Sequence, residues 1–460
     1  MSSSRRVNRS LPGRRAALAA ALGTGVALAA SEARAVPSFA QQTGQPCTAC
    51  HVGGFGPQLT PFGRAFKLHA YGATESWSGA QHSFVPVSAM VIATDTHTGK
   101  DQSAPPANNM GVNDNAAVQE ADVFLAGKLA PGLGVMIQGT TDLIGHDTSL
   151  DNSEIRYARE ATIMGRSLTW GVSINNNPTV QDVWNTTPTW RFPYVSSALA
   201  VSPIDAPLLA GGLSHEVVGE TGYLWVDDHL YLEAGGYQGL SANALNALHE
   251  DTGPGVSGTA PYWRAAWSWE FNGQAAEVGV YGLRAALSPD RSFTSTDHYD
   301  DVAFDASYQF LGIGKQVVSA NFSYIKEARS LAASYALGLS NFPKGRIDDL
   351  TFDLSYYYDR RWGLTTAFFR TDGGYDAGLY APAPDSGSLS GKPDATGWMV
   401  QGDYTPFGRD DSWGRPWANV RLGLQYTAYS RFNGAVANYD GFGRSAADDN
   451  TLTAFVWAAF

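Results

Sequence analysis

Sixteen segments of this chain alternate apolar and polar residues with a period of two, a rhythm that fits strands and scatters on a helix. Val302, Phe304, Ala306, Tyr308 and Phe310 form one face of such a segment, and Asp305, Ser307 and Gln309 the other. Leu350 to Tyr358 and Ala418 to Tyr426 repeat the pattern. The sixteen segments are placed near 83–98, 117–129, 134–145, 155–164, 168–176, 217–226, 229–237 and 262–271, then 274–284, 300–310, 315–327, 347–358, 363–372, 397–405, 417–429 and 450–460. Short connections (Pro131-Gly132, Gly165-Arg166, Asp227-Asp228, Asn272-Gly273) alternate with long loops near 99–116, 177–216, 238–261, 373–396 and 430–449. Asn-Gly between two alternating runs is a strong hairpin signal. The final face, Leu452, Ala454, Val456, Ala458 and Phe460, closes on a terminal aromatic.

Only 16% of residues are charged, while 50 are Gly and 55 aromatic (13 Trp, 21 Tyr, 21 Phe). That is the composition of a transmembrane barrel rather than of an ordinary soluble domain. Beyond the N-terminus no apolar run reaches the 18 residues a membrane helix needs. The expected fold is therefore all-β: a 16-stranded antiparallel transmembrane β-barrel, preceded by a small α-helical segment. The competing arrangement, a secreted sandwich, would have to bury the apolar strand faces against each other.

Arg5, Arg6, Arg9, Arg14 and Arg15 precede an apolar run from Ala16 to Ala30, and Ala33-Arg34-Ala35 supplies a small-residue cleavage pattern. Residues 1–35 read as an export signal, with Arg14-Arg15 open to either the general or the twin-arginine route. Its removal takes six arginines and one glutamate, lowering the net charge from −12 to −17. An acidic chain of this kind attracts cations and is no partner for nucleic acid. The expected organisation is 1–35 signal, a short segment 36–82 and 83–460 barrel. An even strand number puts both termini on the periplasmic side of a bacterial outer membrane, in contact with its lipid.

The chain's two cysteines lie in Cys47-Thr48-Ala49-Cys50-His51. Two thiols one turn apart can add to the two haem vinyl groups, and the adjacent histidine then ligates the iron. With no second Cys pair, a zinc site lacks ligands. One covalent haem c is expected, on Cys47 and Cys50, with His51 as proximal ligand. The 47 residues from Val36 to His82 are too few to bury a macrocycle alone, so the lumen is the expected container. Downstream, Thr60 and Pro61 read as the cap and first residue of a short helix. Phe62, Phe66 and His69 share a face suited to a porphyrin, and Arg64 and Lys67 are candidates for its propionates or for solvent. For the distal position His69 is near in sequence. Met90 and His97 lie on the first strand and point to opposite faces, His97 on the side of Asp95, which reads as luminal.

The haem motif, followed by Leu59-Thr60-Pro61-Phe62-Gly63-Arg64-Ala65-Phe66-Lys67-Leu68, resembles the fused outer-membrane cytochrome–porins of iron-oxidising and related bacteria. The stretch Asn175-Asn176-Asn177-Pro178-Thr179-Val180-Gln181-Asp182-Val183-Trp184-Asn185-Thr186-Thr187-Pro188 carries the same likeness. The resemblance implies one c-type haem plugging or lining a 16-stranded barrel. It further implies passage of electrons from extracellular Fe(II) to periplasmic carriers such as a soluble cytochrome, an oxidoreductase-type activity. Cys47, Cys50 and His51 match the family motif. Where members often have Phe-Lys-Leu-x-Gly-Tyr, this chain has His69-Ala70-Tyr71, which makes His69 a local specialisation or a variable position.

The leading expectation is an electron conduit for an extracellular donor, Fe(II) or another small reductant, since a haem in the lumen divides ~25 Å of hydrocarbon into shorter hops. The alternatives are a porin whose haem segment is a plug or sensor, and a conduit running outward. In either case Asn175–Tyr194, with Trp184 and Trp190, is a candidate constriction loop.

Overall fold

The computed structural model describes residues 38–72, 85–250, 252–292, 294–312, 315–414 and 417–460. The expected export signal lies outside them. Among the described residues, sixteen long strands form one antiparallel sheet: β1 Val87–Thr98, β2 Asn115–Ala130, β3 Leu133–Asp142, β4 Asp147–Ile163, β5 Arg166–Asn175, β6 Val217–Val226, β7 Leu230–Gly239 and β8 Thr259–Phe271, followed by β9 Gln274–Ser288, β10 Asp297–Phe310, β11 Gln316–Ser330, β12 Lys344–Tyr358, β13 Trp362–Gly373, β14 Ala395–Tyr404, β15 Asn419–Arg431 and β16 Thr451–Ala459. Each pairs with its sequence neighbours. β1 also pairs with β16, from Met90 opposite Ala459 to Thr98 opposite Thr451, and so closes the barrel. A two-residue strand, Gly255–Val256, adds to β9 at its loop end.

The burial pattern settles which face points where. On β10, Asp305 is 0% exposed and Gln309 7%, whereas Val302 is 58% and Phe304 40% exposed. Polar faces are enclosed and apolar faces are bare, the inverse of a soluble sandwich and the requirement of a wall standing in lipid. Phe271, Tyr308, Tyr358 and Trp362 ring the exterior at the short-turn end, where an aromatic girdle meets the interface. No described helix is long and apolar enough to cross a membrane, and the strands do so instead.

Turn chemistry follows the sequence. Asn272 (φ 48°) and Gly273 (φ 72°) form a primed turn, and Asp227 and Asp228 another. The β4–β5 turn centres on Met164-Gly165, one residue earlier than expected, because Arg166 already pairs with Ile163 as the first residue of β5.

The lumen is filled. Helices α1 (Ser38–Thr43), α2 (Cys47–Cys50) and α3 (Pro61–Leu68) lie inside the barrel with the long loop 176–216. Leu68 packs with Trp184, Tyr223 and Tyr231, and Val52 with Val317 and Tyr357. Phe39 and Phe55 rest on a cluster holding Met90, Phe124 and Trp457. The far end of the loop joins the wall through Leu208, Leu209 and Leu213, packed on Tyr237, Tyr262 and Tyr281. The backbone N–H of Leu209 donates to Asp301 Oδ2 at 2.8 Å.

Candidate haem-attachment site

The motif sits at the short-turn end of the lumen. Helix α2 starts after extended Pro46, and its single turn brings Cys47 and Cys50 to the same side; the N–H of His51 donates to the carbonyl of Cys47 at 2.8 Å. The thiols are not joined in a disulfide. From His51 the chain loops through two glycines at positive φ, Gly54 and Gly56, and returns to pair Leu59 with His51. Thr60 caps α3, accepting from the N–H of Gly63 at 3.2 Å, and its own N–H donates to the carbonyl of Cys50 at 2.9 Å. A β-carbon at Gly63 would stand 2.4 Å from the Cys50 carbonyl oxygen, so α3 is pressed directly onto the motif.

The wall holds this unit from several sides. The N–H of Thr48 donates to the Gly408 carbonyl at 3.0 Å, Arg360 donates to the Thr48 carbonyl at 2.6 Å, and Asn419 to that of Gly54 at 2.8 Å. Burial, with a contribution from Cys47, pushes the Cys50 thiol up to about 12. Burial and the neighbouring Arg421 lower the His51 ring to about 4, so it stays neutral at physiological pH, the form that ligates a metal.

The residues present suit a covalent haem. Two thiols occupy one turn, a neutral imidazole follows, and His51 Nδ1 is buried without a hydrogen-bond partner among the described residues. A cleft of about 410 Å³ reaches the motif at Thr48 alone and is otherwise lined by Lys315, Arg360, Arg409 and three aspartates. Haem attached there would be held by Cys47, Cys50 and His51, and would supply a one-electron centre inside the barrel wall.

The other residues singled out in the sequence scatter. Lys67 Nζ donates to the carbonyls of Val180 and Asp182 at 2.7 Å each and to Asn185 Oδ1 at 2.8 Å. Arg64 pairs with Glu270 and lies against Trp184 and Trp225, at 5.9 and 5.5 Å from the ring centroids. Both cations are thus engaged by the loop and wall in this arrangement, rather than facing solvent. His69 ends α3, where Nδ1 lies 2.7 Å from the Ala65 carbonyl and Nε2 2.8 Å from Glu160. On β1 the orientation is reversed from that read in the sequence. Met90, Ile92, Thr94 and Thr96 face the lumen, whereas Asp95 and His97 face outward, the side chain of His97 being 56% exposed beside Asp114. Met90 belongs to the cluster on which Phe55, four residues after His51, is packed.

Two features were invisible in the sequence. Glu120, Asp122 and Asp151 bring one oxygen each to within 4.8 Å of one another on the lumenal side of β2 and β4, and His215 Nε2 reaches Asp151 at 2.8 Å. Buried Arg421 stands against the Gly53–Gly56 loop. The stretch expected as a constriction, Asn175–Tyr194, does fold inward, with Val180, Gln181, Asp182 and Val183 all fully buried.

The fold and its enclosed segment define a closed 16-stranded antiparallel β-barrel whose lumen holds its own N-terminal chain. No family model and no curated protein matches the sequence. Among solved structures it is similar to OmpT, an outer membrane protein of Vibrio cholerae (11% identity, TM-score 0.42, covering 81% of this chain and 96% of that one). It is likewise similar to the outer membrane channel DcaP of Acinetobacter baumannii (12%, 0.43, 81% and 96%). A third is an anion-selective porin from Comamonas acidovorans (10%, 0.44, 81% and 98%).

Proposed function

We propose that this chain is an outer-membrane barrel that passes electrons, taking them from an extracellular donor such as Fe(II) and delivering them to a periplasmic carrier at the end where the haem motif lies. The observation that carries the reading is the filling of the lumen. Segment 38–72 and loop 176–216 together occupy the space through which a porin would pass solutes. A tightly packed lumen hinders solutes but not electrons moving between fixed centres.

The second reading is a solute channel whose plug moves. It is favoured by the polar character of several plug contacts, among them Lys67 with the loop and the Lys128 N–H of the wall with Gln42 Oε1 at 2.9 Å. The two readings separate in one preparation. The detergent-solubilised protein, carrying thioether-linked haem by its pyridine haemochrome spectrum, should be reduced stoichiometrically by Fe(II) in stopped flow and should show little conductance in planar bilayers. Porin-like conductance without reduction would overturn the electron reading and leave the channel.

A further inference from the structure

Arg421, on β15, is 1% exposed, and its Nε, Nη1 and Nη2 all lack a hydrogen-bond partner among the described residues. The carboxylate of Asp403 approaches Nε to 3.4 Å without hydrogen-bonding alignment. The rings of Tyr194 and Tyr357 stand 6.0 and 5.9 Å from the guanidinium carbon. Other buried arginines of this lumen each find at least one aligned acceptor: Arg156 Nε donates to Glu154 at 2.8 Å, and Arg264 Nη2 to Asp305 at 2.7 Å while its Nε and Nη1 stay unpartnered; Arg421 has none. A guanidinium carries five N–H donors, and leaving them unmet in a buried site is costly. Its surroundings ask for an anion.

The loop that follows the haem motif passes directly over this group. A β-carbon at Gly53 would stand 2.6 Å from Arg421 Nη2, and one at Gly56 3.0 Å from Nη1. Gly56 adjoins the Cζ3 edge of Trp457, which pairs with Arg421 across β15 and β16 and whose buried Nε1 likewise has no partner among the described residues. The cations at the cleft are already matched: Lys315 and Arg409 both face Asp359. We propose that Arg421, with Trp457 Nε1 as a second donor, receives a propionate carboxylate of the haem carried by Cys47, Cys50 and His51. The proposal rests on the haem-bearing reading above. A guanidinium matches a carboxylate bidentately. Its positive charge, only partly offset by Asp403, would also favour the reduced, less charged state of a haem held by Cys47, Cys50 and His51.

The test uses full-length protein in detergent: wild type, Arg421→Gln, Arg421→Lys, Trp457→Phe and, remote from the motif, Arg284→Gln. The readouts are haem content, midpoint potential and the propionate bands in resonance Raman spectra. Arg421→Gln should lower the potential and shift the propionate bands. Arg421→Lys should keep the potential near wild type yet shift the bands, because a point charge does not reproduce the fork. Trp457→Phe should shift the bands alone, and Arg284→Gln should change nothing. If Arg421→Gln retains its haem with unaltered potential and bands, the assignment is wrong while the haem reading stands. Should that variant fail to form a barrel, unshifted bands in both Arg421→Lys and Trp457→Phe overturn the assignment instead. Absence of thioether haem in the wild type would overturn both.

Discussion

Gly53 and Arg421 touch so closely that a β-carbon on the glycine would stand 2.6 Å from Nη2 and equally near the Tyr357 ring. The loop beyond His51 is therefore seated on the wall by backbone, not side chain. Gly53→Val should force the loop off this seat, an overpacking cost of about 1–3 kcal/mol. Haem content measured by pyridine haemochrome should fall, while the heat-modifiable band of the closed barrel persists. Full haem retention would show that the contact does not position the motif.

Lys67 holds plug to loop through three hydrogen bonds, two of them to carbonyls of Val180 and Asp182. Lys67→Met strands those acceptors and should cost about 1–3 kcal/mol of docking, the penalty for buried acceptors left without a donor. Faster proteolysis within 177–199 and a rise in bilayer conductance are the expected signs. Unchanged proteolysis would place the anchoring elsewhere, on the aromatic cluster of Leu68 and Trp184.

His215 ends the constriction loop, with Nε2 2.8 Å from Asp151 and Nδ1 3.8 Å from Glu250. Burial pulls its ring down, but the carboxylates of Asp151 and Glu250 outweigh it and the net shift is upward. A raised value in the folded state means the anchor is fully present below about 6.5 and is lost as pH rises through the higher value. Hydrogen-exchange protection of residues 208–216, corrected for intrinsic rates, should decline on going from pH 6 to alkaline pH. His215→Gln should flatten that profile; a wild-type profile that is already flat rules the anchor out.

Leu424 is 54% exposed on the outer face of β15. Leu424→Arg places a charge in lipid, a cost of about 2–4 kcal/mol at the bilayer midplane. The heat-modifiable fraction recovered from membranes should drop. Equal recovery would mean that this face does not meet hydrocarbon.

The strands were legible because their alternation is local: each carries its own inside and outside, and the sixteen segments lie where the period-two rhythm runs. The orientation of β1 was not. Its lumenal side holds Met90 and Ile92, since the plug's Phe39 and Phe55 press on it. Asp95 and His97 point outward toward the long-loop end, opposite Ala454 and Leu452 of β16. On this strand Met90 and Ile92 alternate into the lumen with Thr94 and Thr96, so neither face is uniformly polar. The helix after the motif was readable from Thr60 and Pro61, whereas the partners of Arg64 and Lys67 lie more than a hundred residues away on loop and wall. Arg421 escaped notice for the same reason, as one of two arginines in an otherwise ordinary strand.

The seam between β1 and β16 has a consequence for how the molecule is made. Trp457, on the last strand of the chain, packs against Phe55, their ring centroids 4.6 Å apart, so the final strand closes over a segment synthesised first. Once that seam is zipped, Cys47 and Cys50 stand behind a continuous hydrogen-bonded wall. After closure, chemistry on those half-buried thiols would have to approach by the mouth at the short-turn end, where the cleft beside Thr48 opens, rather than through the wall.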